Sequence, residues 1–369
     1  MSDRRSALEQ CAKQLIVWNQ HPSGSYVACP LFANYAYGWL RDGTFIAYAM
    51  DLSGEYESSE RFYGWVDRVL SRKADIVEKL LAKKEAQQWI DRSEFLGTRF
   101  HLDGRDDDGE WGHFQLDGYG TWLWGLTQHI RLTGRTELLD RFRGSIELTL
   151  RYVTAFWPWP NFDCWEENPD YVHPSTLACL YGGLMAIGEL EGRGDLLETA
   201  EEIKRFLAGN CVHNGTFVKS VVHRDGSWQP VLPGVDANLM WLVEPFRVFE
   251  PGEPVMEATL ERIRNELVRD GGMHRYVEDT YYGGGSWLLL TGWYGWVLAG
   301  LGDLDGAARC LAWMEDHADE LGRLPEQVPV GLLHEEAYRD WQTRWGEPAV
   351  PLLWSHAMYL VLSANLKRA

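Results

Sequence analysis

Hydrophobic positions in this chain fall into two kinds of helical stretch. One kind carries a single apolar stripe: Leu139, Phe142, Ile146, Leu150 and Val153 recur at steps of three and four, and so do Met256, Leu260, Ile263 and Leu267. The other kind is apolar around most of its circumference, as in 122–126 and in 287–290 continuing through 296–299. A helix that is apolar nearly all round belongs inside a protein, whereas a striped one covers a surface. Tight Gly-containing turns lie between them, at 52–55, 132–135, 190–193, 249–252 and 301–304. The last four turns are 58, 59 and 52 residues apart (190 − 132, 249 − 190, 301 − 249). This is a loose internal repeat of helix pairs, and the alternation of buried and half-buried members implies two concentric layers.

The periodicity predicts about twelve helices. They lie near 4–20, 41–53, 56–88, 118–133, 136–156 and 174–191, then 195–208, 236–248, 253–269, 286–300, 303–319 and 352–366. The third is long enough to be two helices. Five pairs, with a sixth made by the first and last helices, would close a ring. The intervening loops, 97–117, 157–173, 209–234, 270–285 and 320–350, are rich in Gly, Asp, Trp and Tyr. Loops of this length are usually functional or disordered, and their aromatic content argues against disorder. No stretch reads as a linker, so the expectation is one all-α domain over 1–369 with its chemistry in loops at one end of a barrel.

Composition narrows the function. Hydrophobic residues make up 45% and charged residues 24%, as in soluble globular proteins. The 19 Trp are unusual, and aromatic rings suit the apolar faces of sugars as well as a core. A formal charge of −19, from 35 basic and 54 acidic residues, repels polyphosphates and argues against a nucleic-acid partner. The N-terminus shows no leader's apolar core, and no apolar run has the length of a membrane span. The six cysteines are scattered, with neither metal-ligand nor disulfide spacing, so reduced thiols in a cytoplasmic protein are expected.

Two acidic segments, 160 residues apart (326 − 166), carry the candidate chemistry: Phe162-Asp163-Cys164-Trp165-Glu166-Glu167 and Leu324-Pro325-Glu326-Gln327. Each sets a glutamate among aromatic, apolar or amide neighbours. Taken singly, either glutamate reads as well as an ordinary surface carboxylate. Together they fit hydrolysis of a glycosidic bond with inversion, in which one carboxylic acid protonates the leaving oxygen and one carboxylate activates a water on the opposite face of the ring.

Seven motifs in sequential order resemble those of glycoside hydrolase family 15, the glucoamylase family. They are Tyr37-Gly38-Trp39-Leu40-Arg41-Asp42-Gly43, then Trp111 through Gly120, Trp165-Glu166-Glu167, Val235-Asp236-Ala237-Asn238-Leu239, Arg275 through Tyr282, Leu324-Pro325-Glu326-Gln327 and Trp354-Ser355-His356-Ala357. The resemblance spans essentially the whole chain. It implies an (α/α)6 barrel and exo-hydrolysis of α-glucosides from the non-reducing end, with release of β-glucose and with no cofactor or metal. By position, Glu166 resembles the family's general acid and Glu326 its general base. Glu166 is then expected to be held protonated by its aromatic surroundings and Glu326 to stay ionised.

The same resemblance makes Arg41 and Asp42 the pair that grips hydroxyls at the closed end of the pocket. The competing reading of that pair is an ion pair at a helix start. Arg275 and Tyr281 match the family's second binding segment, with Trp287 just beyond it. Trp111 resembles an aromatic flanking the acid, and Trp354 one packed near the base. Tyr35, six residues before Arg41, has the spacing of a tyrosine that helps hold the attacking water. For each of these aromatics the alternative is core packing. Glu167 either bonds substrate on the leaving-group side or supports Glu166.

Departures from the family pattern also matter. The chain carries neither the N-terminal β-sandwich of many relatives nor a starch-binding module. Leu116, where fungal members show arginine, and Asn168-Pro169 after the acid pair fall near the leaving-group subsites. The chain thus looks more like members that take short α-glucosides, with α-1,6 links slightly ahead of α-1,4. A trehalase or phosphorylase on the same fold, or a non-catalytic sugar-sensing domain, are the other readings; the paired glutamates favour hydrolysis. The acidic turn 103–110 fails as a calcium loop because Gly104 and Gln115 stand where acids are needed. Gly283-Gly284-Gly285 lacks the Lys-Ser or Lys-Thr of a phosphate loop and reads as a tight turn or a close approach to a sugar.

Overall fold

The stretches that are apolar all round form an inner ring, and the striped ones an outer ring, in a computed structural model that describes residues 2–107, 109–232 and 234–368. In chain order the helices are α1 (Ser2–Trp18), α2 (Leu40–Leu52), α3 (Tyr56–Leu70), α4 (Ala74–Glu85), α5 (Asp117–Thr133), α6 (Glu137–Arg141) and α7 (Arg143–Phe156). There follow α8 (Pro174–Glu191), α9 (Gly194–Asn210), α10 (Pro254–Leu267), α11 (Leu288–Gly300), α12 (Leu304–Asp316), α13 (Glu335–Trp345) and α14 (Leu353–Arg368). The ring runs from α2 to α5, α8, a short 3-10 segment Ala237–Leu242, α11 and α14, which packs back on α2. Outside it, α3 lies on α2, α7 on α5, α9 on α8, α10 on the 3-10 segment, α12 on α11 and α1 on α14. The arrangement is an (α/α)6 barrel.

Glycine decides how tightly the inner ring closes. A Cβ on Gly120 of α5 would lie 2.4 Å from the Cys179 carbonyl oxygen of α8, and one on Gly183 of α8 would lie 2.4 Å from the Gly120 carbonyl oxygen. The two helices therefore meet backbone to backbone. At the turns, Gly134 (φ 72°) and Gly192 (φ 68°) end α5 and α8 in the left-handed conformation that other residues adopt only at a cost. The axis of the barrel is filled by rings: Phe45 stacks on Trp354 at 5.7 Å, meets Trp293 edge-on at 4.6 Å and lies 5.9 Å from Trp124.

Five stretches differ from the periodicity. The helix expected over 236–248 is only the 3-10 segment, because Pro245 has no amide hydrogen and bars Glu244 from helical backbone. The segment expected at 56–88 splits into α3 and α4 around a 3-10 turn at 71–73, and 136–156 splits at Phe142. Loop 209–234 contains two antiparallel hairpins, 212–213 with 216–217 and 220–224 with 227–232. Loop 320–350 contains α13, none of whose residues is buried.

Short strands connect the loops to the inner helices. Strand 38–39 pairs with 99–100 and leads into α2, and strand 286–287 leads into α11. The latter belongs to a four-stranded sheet ordered 327–328, 286–287, 272–273, 268–269. The glycine run 283–285 is a tight turn with two left-handed residues, Gly283 (φ 72°) and Gly284 (φ 63°). In the acidic turn 103–110, Asp108 lies outside the described residues. Among the described residues no helix is long and apolar enough to cross a membrane.

Candidate active site

The inner helices start at a common mouth, so residues at their first turns converge. A cavity of about 420 Å³ opens there, lined by Tyr35, Arg41, Asp42, Trp111, Trp165, Glu166, Glu167, Arg275, Tyr281, Trp287, Glu326 and Trp354. All the residues selected from the sequence thus meet in one place, although the loops that bring them are far apart in the chain.

At the floor, Arg41 donates to Asp117 at the start of α5 (2.9 Å) and its Nε lies 3.2 Å from Asp42. The guanidinium also sits 5.4 Å from the Trp354 ring centroid. The helix-start ion pair and the pocket contact are therefore the same feature. Burial pushes the Asp42 carboxyl up against the pull of Arg41, which is itself held well above its usual range by Asp117 and Asp42 despite burial.

Glu166 sits on a turn with left-handed backbone (φ 65°), strained for a residue with a side chain. Asp163 holds that turn: its Oδ1 accepts the amide hydrogens of Trp165 and Glu167, each at 2.9 Å. The buried His173 joins it to the hairpin at 220–232, with Nδ1 2.9 Å from the Ser220 hydroxyl and Nε2 2.9 and 3.0 Å from the carbonyls of Asn161 and Asn168. Trp39 donates its indole N–H to Glu166 at 2.6 Å. Glu167 accepts from the Tyr276 hydroxyl at 2.6 Å and from Arg275 at 3.5 Å, and the buried Lys219 ammonium lies 3.8 Å away. Lys219 also pairs with Asp236 at 3.2 Å, and Asp236 accepts from the Trp165 indole.

Glu326 is held by backbone. Its N–H donates to the Ala349 carbonyl at 2.8 Å and its carbonyl accepts from Leu288 at 3.1 Å. From the first turn of α14, Ser355 donates to the Pro325 carbonyl (2.8 Å) and His356 Nε2 accepts from the Leu324 N–H (3.0 Å). Burial pushes the His356 imidazole down to about 3, so it is neutral and able to accept. Tyr35 and Tyr281 share a hydroxyl–hydroxyl bond of 2.9 Å.

The electrostatics correct one expectation. Burial pushes the Glu166 carboxyl up to about 7, against Arg41 and the Trp39 donor. It also pushes Glu326 up to about 8, against Arg275 and the hydroxyls of Tyr35 and Tyr281. The sequence reading left Glu326 ionised; the same dry pocket desolvates both carboxyls. Glu326, only 4% exposed, is the more deeply buried of the two.

Several lining or supporting residues were not selected from the sequence. Trp39, Asp117, Tyr276 and Asp279 lay inside the motifs, but nothing in their spacing marked them as partners of Glu166, Arg41, Glu167 and Arg275. Lys219 had no signal. Trp341 of α13 also lines the cavity, 4.8 Å from Tyr281, and the steps from Tyr338 to Trp341 to Trp345 would have revealed that helix. Among the described residues, no group of three or more His, Cys, Asp or Glu is arranged to hold a metal ion.

Comparison with known proteins gives a consistent picture. Isomaltose glucohydrolase of Kribbella flavida is 39% identical over 98% of this chain and 93% of its own length. A solved glycosidase variant in complex with glucose superposes with a TM-score of 0.93 at 38% identity, over 99% of this chain and 97% of that one. A bacterial glucoamylase in complex with acarbose shares the fold, with a TM-score of 0.75 at 19% identity over 98% of this chain and 55% of that one. The family model for glycosyl hydrolases family 15 matches residues 2–364, and the chain belongs to that family of glycoside hydrolases.

Proposed function

We propose that this enzyme removes glucose, as the β-anomer, from the non-reducing end of short α-glucosides, with isomaltose and other α-1,6-linked sugars ahead of α-1,4-linked ones. The observation that carries the reading is that Glu166 and Glu326 line one cavity from two unrelated loops. In this reading Glu166 is the acid and Glu326 the base. Arg41 and Asp42 bind the hydroxyls of the terminal glucose, and the Phe45–Trp354 stack beneath them ends the pocket and makes the enzyme exo-acting. Trp165, Trp287 and Trp354 offer ring faces to the sugar. Glu167 and Arg275 face the leaving-group side with Trp111, and Tyr35 with Tyr281 steadies the water beside Glu326.

The chemistry follows from the pair. Protonated Glu166 gives its proton to the glycosidic oxygen as the C1–O bond breaks. Ionised Glu326 takes a proton from the water that attacks C1 from the opposite face, which inverts the anomeric centre. One proton shared between two raised carboxyls suffices, provided it resides on Glu166 at the moment of cleavage. Arg275 and the two tyrosine hydroxyls favour ionised Glu326, yet burial leaves Glu326 the higher of the two, so the cleaving form, with the proton on Glu166, is the minority one. The chain acts as one catalytic unit over 1–369, on a neutral sugar and without a metal or cofactor, and its six free cysteines suit a reducing cytoplasm. The 39% identity to an isomaltose glucohydrolase supports the preferred linkage.

The test is NMR observation of glucose released from isomaltose, maltose, trehalose and panose, with Glu326→Ala alongside. Initial β-glucose, fastest from isomaltose and absent in the variant, is the expected outcome. Initial α-glucose would remove the inverting mechanism, and fastest release from trehalose would make the enzyme a trehalase.

A further inference from the structure

Lys219 lies at the bend between the two hairpins of loop 209–234, on backbone that is anchored on both sides. Its amide donates to the carbonyls of Leu232 (3.2 Å) and Gly234 (3.1 Å). The next two residues hold the acid turn, Ser220 through His173 and Val221 through paired backbone bonds to Val172 of 2.9 and 3.0 Å. From this anchored stem the ammonium is carried inward, with the side chain only 6% exposed. A buried ammonium is costly unless it is paired, and the fully buried Asp236 at 3.2 Å would satisfy that need alone. The ammonium nevertheless reaches further, standing 3.1 Å from the centroid of the Tyr276 ring and 3.8 Å from Glu167. Its field is also felt behind the turn. Burial pushes Asp163 up to about 6 and Asp236 upward, and for both carboxyls Lys219 is the main pull in the opposite direction.

The consequence falls on Glu167. A carboxylate offers about four acceptor directions. The Tyr276 hydroxyl takes one on Oε2 at 2.6 Å, with Lys219 beside the same oxygen, and Arg275 reaches Oε1 at 3.5 Å. The side chain is still 35% exposed and lines the catalytic cavity, so acceptor capacity is left for the hydroxyls of a bound sugar. By attracting Glu167 and gripping the face of Tyr276, one ammonium fixes both the carboxylate and its shortest donor. We infer that Lys219 is a positioning residue for the leaving sugar: acting through Glu167 and Tyr276, it sets the carboxylate that accepts hydroxyls of the sugar being expelled. The inference rests on the reading above that puts Glu167 on the leaving-group side, and it holds for any linkage.

Lys219→Met keeps the length of the side chain and removes its charge, but it strands Asp236 in the interior. Asp236→Asn removes that second charge and keeps the oxygen that accepts from the Trp165 indole and the Asn238 amide. The informative pair is therefore Asp236→Asn with and without Lys219→Met. Two substrates are compared: the disaccharide that the parent cleaves fastest, and α-glucosyl fluoride, whose leaving group has no hydroxyls. Loss of Lys219 should lower kcat/KM on the disaccharide about tenfold, mainly by raising KM, and change it on the fluoride by no more than about twofold. With Glu167→Gln already in place, Lys219→Met should add little further loss on the disaccharide. Equal losses on both substrates would make Lys219 a structural counterion of Asp236 and overturn the inference. An unchanged disaccharide rate, or a full further loss beside Glu167→Gln, would overturn it too. Release of α-glucose from the fluoride by the parent would instead sink the inverting reading, with the two-substrate comparison still standing.

Discussion

Glu166 and Glu326 face one cavity, yet the chain supports them in opposite ways. The Glu166 turn is in left-handed backbone and is held by side chains: Asp163 on two amides, His173 on two carbonyls and Trp39 on the carboxylate itself. The Glu326 segment lies at a bend just before strand 327–328, bonded through its own amide and carbonyl to Ala349 and Leu288, with Ser355 and His356 fastening the two residues before it. The difference bears on mutability. A turn held by side chains should be sensitive to single substitutions around it, whereas a segment held by backbone should tolerate them.

The largest effect comes from the carboxyls themselves. Glu166→Gln and Glu326→Gln should each lower kcat on an unactivated disaccharide by about 10²–10⁴-fold. A substrate with a good leaving group should rescue the first and not the second, since it needs no acid. Equal rescue of both would assign the two roles wrongly.

The supports come next. Asp163→Ala strips the acceptor from two amides at a strained turn, and a loss of about 1–3 kcal/mol there corresponds to a kcat fall of about ten- to hundredfold. Ser355→Ala removes one hydrogen bond beside the base, so kcat should stay within about twofold while Tm falls by a few degrees. Kinetics and thermal melts of the two variants test the contrast directly, and equal kcat losses would break it.

The pH dependence is a smaller effect with a definite sign. With Glu166 near 7 and Glu326 near 8, kcat/KM should be bell-shaped, with its maximum between those values. An optimum near pH 5 would mean that the free enzyme hydrates the pocket far more than its burial indicates. Both folded-state values lie above the ordinary 4.5, so the folded protein binds more protons than the unfolded chain between about pH 4.5 and 8. Stability should fall as pH rises through that window. Glu326→Gln should flatten the fall, giving a variant that melts higher than its parent at pH 8.5.

The smallest effect is at Trp39. Its indole hydrogen bond holds the Glu166 carboxyl down, so Trp39→Phe should raise that value and move the acidic limb of the profile, near 7, upward. An unmoved limb would show that Glu166 does not govern it.

The periodicity of Leu139 through Val153 and the all-round apolarity near Trp122 and Trp287 were enough to define two layers of helices, because burial imposes the 3.6-residue period directly on the sequence. The glutamates of Trp165-Glu166-Glu167 and Pro325-Glu326-Gln327 were legible because such local surroundings are written in consecutive residues. Pro245, which cuts the fourth inner helix short, was also visible, though its effect outweighed a helical pattern that read on to 248. What the sequence could not hold were the meetings between distant segments: Lys219 beside Glu167, Trp39 on Glu166, Asp117 on Arg41. Nor could it hold the shared pocket that raises both carboxyls. Those depend on which surfaces exclude water together, and desolvation is a property of the packed barrel, not of any one stretch of chain.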